Sequence, residues 1–162
     1  MIKKIINTPK NKKSCIKNDI CSPILIADDE KDILDMYVKA LSDHGYKVFS
    51  ANNGKEAMKI LKEATEKINY LLLDIVMPSM DGFDVLKKIK GDKKYKNTCV
   101  IMFSNLDSNE DWEEAVRLGA NGYLVKSEYT PSKLIKMIEE NCNPKSKDSK
   151  FVNLKLKKTV KL

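Results

Sequence analysis

Five residues in this 162-residue chain have the types and placement to handle a phosphoryl group. Asp28 and Asp29 follow the apolar run Ile24-Leu25-Ile26-Ala27. Asp74 follows Tyr70-Leu71-Leu72-Leu73, Ser104 follows Val100-Ile101-Met102-Phe103, and Lys126 follows Tyr123-Leu124-Val125. One aspartate at the end of an apolar run has an ordinary explanation as a turn or cap residue, and a pair before a helix suits the helix dipole. The combination asks for more. Two like charges about 4 Å apart repel by around 4 kcal/mol at an effective dielectric of 20, so three gathered carboxylates need protons or a cation. Hard oxygen ligands that leave room for water suit Mg²⁺. A hydroxyl and an ammonium beside them would complete a site for a divalent cation and a phosphoryl group.

Such convergence requires four strand ends on one sheet edge, and the pattern supplies them. Strands are expected at about 24–28, 47–50, 70–74, 98–103 and 122–125, and helices at about 30–43, 54–66, 82–90, 108–118 and 131–141. Ile33, Leu34, Tyr37, Val38 and Leu41 fall on one helical face before Gly45, a stop signal. Asp81-Gly82 turns the chain into the third helix, Ser108 caps the fourth, and Thr130 with Pro131 opens the fifth. Strand–helix alternation with short connections predicts right-handed crossovers and a parallel sheet covered on both faces. In such sheets, ligands bind at the carboxyl ends of the strands.

Composition sets the outer bounds. With 42% hydrophobic and 33% charged residues, the chain reads as one ordinary domain plus tails. No apolar run approaches the roughly 18–20 residues of a membrane span, and Ile5-Ile6 is too short for a signal-peptide core. Cys15, Cys21, Cys99 and Cys142 form no C-x-x-C pair, which points to reduced thiols and a cytoplasmic protein. The net charge of +7 is unevenly spread. Residues 1–22 hold six lysines against one aspartate, and residues 143–162 hold seven against one. The stretch between has 17 basic and 21 acidic residues and is acidic overall. The expected organisation is a disordered basic tail at 1–22, one domain at 23–142, and a basic tail at 143–162.

At these residues the chain resembles the receiver domain of two-component response regulators. The resemblance rests on Asp28-Asp29-Glu30, on Asp74-Ile75-Val76-Met77-Pro78 with Asp81-Gly82, on Ser104, and on Gly119-Ala120-Asn121-Gly122-Tyr123-Leu124-Val125-Lys126. It covers about residues 23–141 and implies a flavodoxin-like (βα)5 fold with strand order 2-1-3-4-5. It also implies roles. Asp74 would take a phosphoryl group from a phosphohistidine. Asp29 and Asp74, with the Val76 carbonyl, would bind Mg²⁺, and Asp28 would act through a metal-bound water or as a further ligand. Ser104 would hold a phosphoryl oxygen, and Lys126 would pair with Asp74 or the phosphate. Tyr123 would be the aromatic that swings inward once Ser104 moves. The implied partners are a sensor histidine kinase or phosphotransfer protein and a downstream protein, with the chain a monomer or a phosphorylation-dependent dimer. Catalysis would be limited to its own phosphorylation and dephosphorylation.

Departures from the family pattern matter too. Ser127 follows Lys126 where many receivers have proline, which leaves the isomer of that bond open, and Asn105 replaces a small residue. Val76 and Leu106, two residues beyond Asp74 and Ser104, cannot orient water, so a long-lived acyl phosphate is expected. His44, the sole histidine, reads as a surface residue at a helix end. In Leu154–Leu162, apolar residues largely alternate with lysine or threonine, with Lys158 breaking the apolar side. That segment is either a solvated extension or a short strand that adds to a sheet edge. Its lysines also make nucleic acid or anionic lipid a candidate contact. Competing functions are a nucleic-acid-binding protein controlled by the receiver, a degenerate scaffold, and an aspartyl phosphatase. The intact Asp29, Asp74, Ser104 and Lys126 weigh against the scaffold, and the lack of a visible substrate cap weighs against the phosphatase.

Overall fold

A computed structural model describes residues 23–141. Both basic tails, including the strand expected within Leu154–Leu162, lie outside the described residues. Strand and helix alternate five times: β1 (Ile24–Ala27), α1 (Lys31–Asp43), β2 (Val48–Ala51), α2 (Gly54–Glu63), β3 (Tyr70–Leu73), α3 (Gly82–Gly91), β4 (Cys99–Ser104), α4 (Asn109–Arg117), β5 (Gly122–Val125) and α5 (Pro131–Asn141). The strands form one parallel sheet in the order β2-β1-β3-β4-β5.

The helices begin where their sequences say they should. Asn53, Asp81 and Ser108 each accept a hydrogen bond from the backbone N–H three residues on, which satisfies an otherwise orphaned donor. Lys133 N donates to Thr130 Oγ1 at the start of α5. Gly45, at φ +99°, stops α1 in a conformation that side chains disfavour. α2 ends at Glu63, three residues short of expectation, because Ala64 turns to extended backbone. Two 3-10 turns, Lys93–Tyr95 and Lys126–Glu128, were not foreseen.

The sheet divides two apolar layers. Leu25, Leu71, Leu73, Val100 and Met102 pack with α2, α3 and α4, whereas Ile24, Ile26, Leu72, Ile101 and Phe103 pack with α1 and α5. This explains why the central strands read as unbroken apolar runs: both faces are covered. Gly82 is required by close approach, since a Cβ there would sit 2.1 Å from the Asp74 carbonyl oxygen. The beginning of α3 is thereby held against the end of β3.

Candidate functional site

Register delivers the polar residues to one edge. Ala27 pairs with Leu73, so Asp28 and Asp74 are the next residues on neighbouring strands. Asp28 N donates to Ala51 O at 3.0 Å and Asp74 N to Ala27 O at 2.9 Å, extending the ladder by one step. Ser104 closes β4, which lies between the strands leading to Asp74 and Lys126.

Lys126 is the electrostatic centre. Its Nζ lies 2.7 Å from Asp28 Oδ2, 2.7 Å from Asp74 Oδ2 and 3.7 Å from Glu30 Oε1. Lys126, Asp28 and Asp74 are all buried. Burial alone would lower the Lys126 pKa, but hydrogen bonds to the two carboxylates reverse this and raise it above its ordinary value. Asp28 is also pushed up: desolvation outweighs the hydrogen bonds from Lys126 and the Glu30 backbone, and the Asp74 charge adds to the rise. The remaining oxygens are held as well. Asp74 Oδ1 accepts from Ile75 N at 2.7 Å and Asp28 Oδ1 from Glu30 N at 3.0 Å. Tyr37 donates to the Tyr129 carbonyl at 2.6 Å and packs edge-to-face on Phe103, pinning the turn that follows Lys126 to α1.

Carboxylate oxygens of Asp28, Glu30 and Asp74 lie within 4.8 Å of one another. One ammonium among three carboxylates leaves uncompensated negative charge and hard oxygen donors, a set that fits a divalent cation. Asp29 is exposed and stands outside this group. Glu30, not singled out from the sequence, takes a place in it. At the first position before α1 its side chain makes no cap hydrogen bond, which frees the carboxylate for the pocket. Its signals in the sequence were its place in Asp28-Asp29-Glu30 and an acidic residue where a capping Ser, Thr, Asp or Asn is usual. Val76 is 59% exposed beyond Asp74.

Ser104 and Tyr123 meet at one residue. Ser104 Oγ accepts from Leu106 N at 3.4 Å, and the Tyr123 hydroxyl donates to Leu106 O at 3.0 Å. Tyr123 is buried. Burial, reinforced by Asp111, Asp107 and Asp74, raises its pKa and keeps the phenol a donor. The Lys126–Ser127 bond is trans. His44 is exposed, caps the end of α1 and lies 2.9 Å from Glu139 on α5, away from the pocket.

The profile of the response regulator receiver domain matches residues 24–139. The response regulator SaeR of Staphylococcus epidermidis is 32% identical over 146 residues, which is 85% of this chain and 61% of SaeR. The chain thus spans about three fifths of that relative. The chemotaxis response regulator CheY4 of Vibrio cholerae superposes with TM-score 0.66 at 32% identity, covering 73% of this chain and 96% of CheY4. The Mn(2+)-bound form of response regulator Rcp1 does so with TM-score 0.65 at 25% identity, covering 73% and 91%. With the sheet order, the polar strand ends and these similarities in agreement, the chain belongs to the response regulator receiver domain family.

Proposed function

We propose that this chain accepts a phosphoryl group from a histidine kinase or phosphotransfer protein onto Asp74, with Mg²⁺, and so changes a protein-binding face formed by α4, β5 and α5. The observation that carries this reading is the buried Lys126 ammonium 2.7 Å from both Asp28 and Asp74. In the transfer, an Asp74 carboxylate oxygen forms a bond to phosphorus while the P–N bond of the phosphohistidine breaks, and the departing imidazole nitrogen is left neutral or takes a proton. Lys126 stays charged throughout and follows the negative charge from the carboxylate to the phosphoryl oxygens. The Ser104 hydroxyl, an acceptor toward Leu106 N, keeps its own proton to donate to a phosphoryl oxygen.

Asp28, Asp29 and Asp74, with the Val76 carbonyl, would hold the cation, and Glu30 adds charge beside them. Bound Mg²⁺ would supply further positive charge to neutralise the transferring group, alongside Lys126. The Ser104–Leu106–Tyr123 linkage would carry the signal. A phosphate that draws Ser104 closer loosens its hold on Leu106 N, and the loop before α4 settles against Tyr123. A downstream protein reads that face.

The test is incubation of the full chain with Mg²⁺ and acetyl phosphate, followed by intact mass. A gain of one phosphoryl group is expected, absent in Asp74→Asn and without metal. An unmodified mass under all conditions would overturn the reading. The basic tails favour a second reading, in which the receiver governs nucleic-acid binding. It requires affinity that falls steeply with salt and disappears when the tail lysines are neutralised.

A further inference from the structure

Among the described residues the sheet has two open flanks. β2 pairs only with β1, and β5 only with β4. Each flank therefore presents a row of backbone N–H and C=O groups to whatever lies outside. The helices beside them differ in charge. α2, next to β2, carries Lys55, Lys59 and Lys62 against Glu56 and Glu63. α4, next to β5, carries Glu110, Asp111, Glu113 and Glu114 against Arg117, and Asp107 is exposed just before it. Arg117 is already committed to Glu114, through 2.8 and 2.6 Å contacts. Glu110 and Glu113 are exposed and join no salt bridge among the described residues. Val116, on the same helix, is 41% exposed. The β5 flank is thus an open strand edge beside an acidic helix that also offers an apolar side chain.

The chain carries a segment with matching chemistry. From Leu154 to Leu162, one parity reads Lys155, Lys157, Thr159 and Lys161, and the other reads Leu154, Leu156, Lys158, Val160 and Leu162. In extended backbone these two sets point to opposite sides. α5 ends at Asn141 after running back along the sheet, and the twelve residues 142–153 can span up to about 40 Å. A four-residue strand such as β5 is only about 13 Å long, so reach is no obstacle. The other basic tail, residues 1–22, lacks this alternation and joins β1 in the interior of the sheet.

We propose that Leu154–Leu162 docks in cis as an added strand on the outer edge of β5, with its Lys155, Lys157 and Lys161 side toward the acids of α4. Main-chain hydrogen bonds to β5 would hold the segment, and charge would select this flank over that of β2. Docked there, it covers part of the face assigned above to a downstream protein. The docking itself rests on fold and charge alone, so it stands or falls independently of the phosphoryl chemistry.

The test uses the unphosphorylated full chain at low ionic strength. The readouts are hydrogen exchange at the β5 amides that face away from β4 and acrylamide quenching of Trp112, the single tryptophan, on α4. The triple variant Lys155→Glu, Lys157→Glu, Lys161→Glu is expected to speed exchange at those amides by about tenfold or more and to make Trp112 easier to quench. About 1 M NaCl, where the screening length is about 3 Å, should weaken docking in the unsubstituted chain. Adding Glu110→Lys and Glu113→Lys to the triple variant should restore protection. Unchanged β5 exchange in the triple variant would overturn the proposal. Protection that scales with protein concentration, or that appears only when DNA is added, would overturn it equally, because the occupant would then be a second copy or a nucleic acid contact.

Discussion

Asp28 is the residue at which ionisation works against the fold. Its pKa is raised mainly by burial, so between the ordinary value of 3.8 and the folded value the native state binds more protons than the unfolded state. Stability from this group therefore falls as pH rises through that window. An isosteric amide relieves the desolvation of the carboxylate and gives up its charged bond to Lys126, and the direction of the Asp28 shift favours relief. Asp28→Asn in EDTA is expected to unfold at a higher temperature than the unsubstituted protein at pH 7, with the gap closing as pH drops below the normal carboxylate range. A lower midpoint for Asp28→Asn at pH 7 would show that the bond to Lys126 outweighs desolvation. Val76 carries a second prediction at this scale. It stands 59% exposed two residues beyond Asp74 and offers no side-chain donor or acceptor to water, and Leu106 holds the same relation to Ser104. The acyl phosphate should outlast seconds. Val76→Asn should shorten its lifetime by roughly tenfold, about 1.4 kcal/mol of barrier, read as loss of phosphorylated mass over time.

At the scale of elements, the join between β3 and α3 is the least tolerant. A Cβ at position 82 would lie 2.1 Å from the Asp74 carbonyl oxygen and 2.9 Å from its carbonyl carbon, both backbone atoms that cannot rotate away. Gly82→Ala should cost at least the upper end of the roughly 1–3 kcal/mol typical of overpacking, and should slow phosphorylation by shifting Asp74. Chemical denaturation and acetyl phosphate uptake measure the two effects separately. The same elements show what the sequence made legible. All five strands and five helices could be placed, because apolar runs and cap residues such as Asp81 and Ser108 are local signals. The two 3-10 turns escaped notice because one turn leaves no periodicity to detect. Glu30 and the Tyr37–Tyr129 hydrogen bond escaped for a different reason. Each depends on a partner about ninety residues away in sequence, and no local pattern encodes that distance. Asp29 is adjacent to Asp28 in sequence, yet it is exposed and lies outside the trio whose oxygens meet within 4.8 Å.

For the whole molecule, any cation binding at this pocket would be linked to folding. The oxygens of Asp28, Glu30 and Asp74 come from two chain segments more than forty residues apart and meet only when β1 and β3 pair. The unfolded chain has no such site, so any ion that binds here stabilises the entire domain by mass action. Mg²⁺ at about one hundred times its dissociation constant should add about 2.7 kcal/mol to unfolding, seen as a saturable rise in the thermal midpoint that EDTA reverses. Na⁺ at matched ionic strength should give little of it, because screening alone cannot replace coordination. Asp74→Asn should lose most of the Mg²⁺ increment while remaining folded. Separate Asp29→Asn and Glu30→Gln variants then divide the remainder between the two exposed carboxylates that precede α1. An Mg²⁺ increment that survives intact in Asp74→Asn would place the ion elsewhere on this acidic surface and remove the cation from the phosphoryl chemistry.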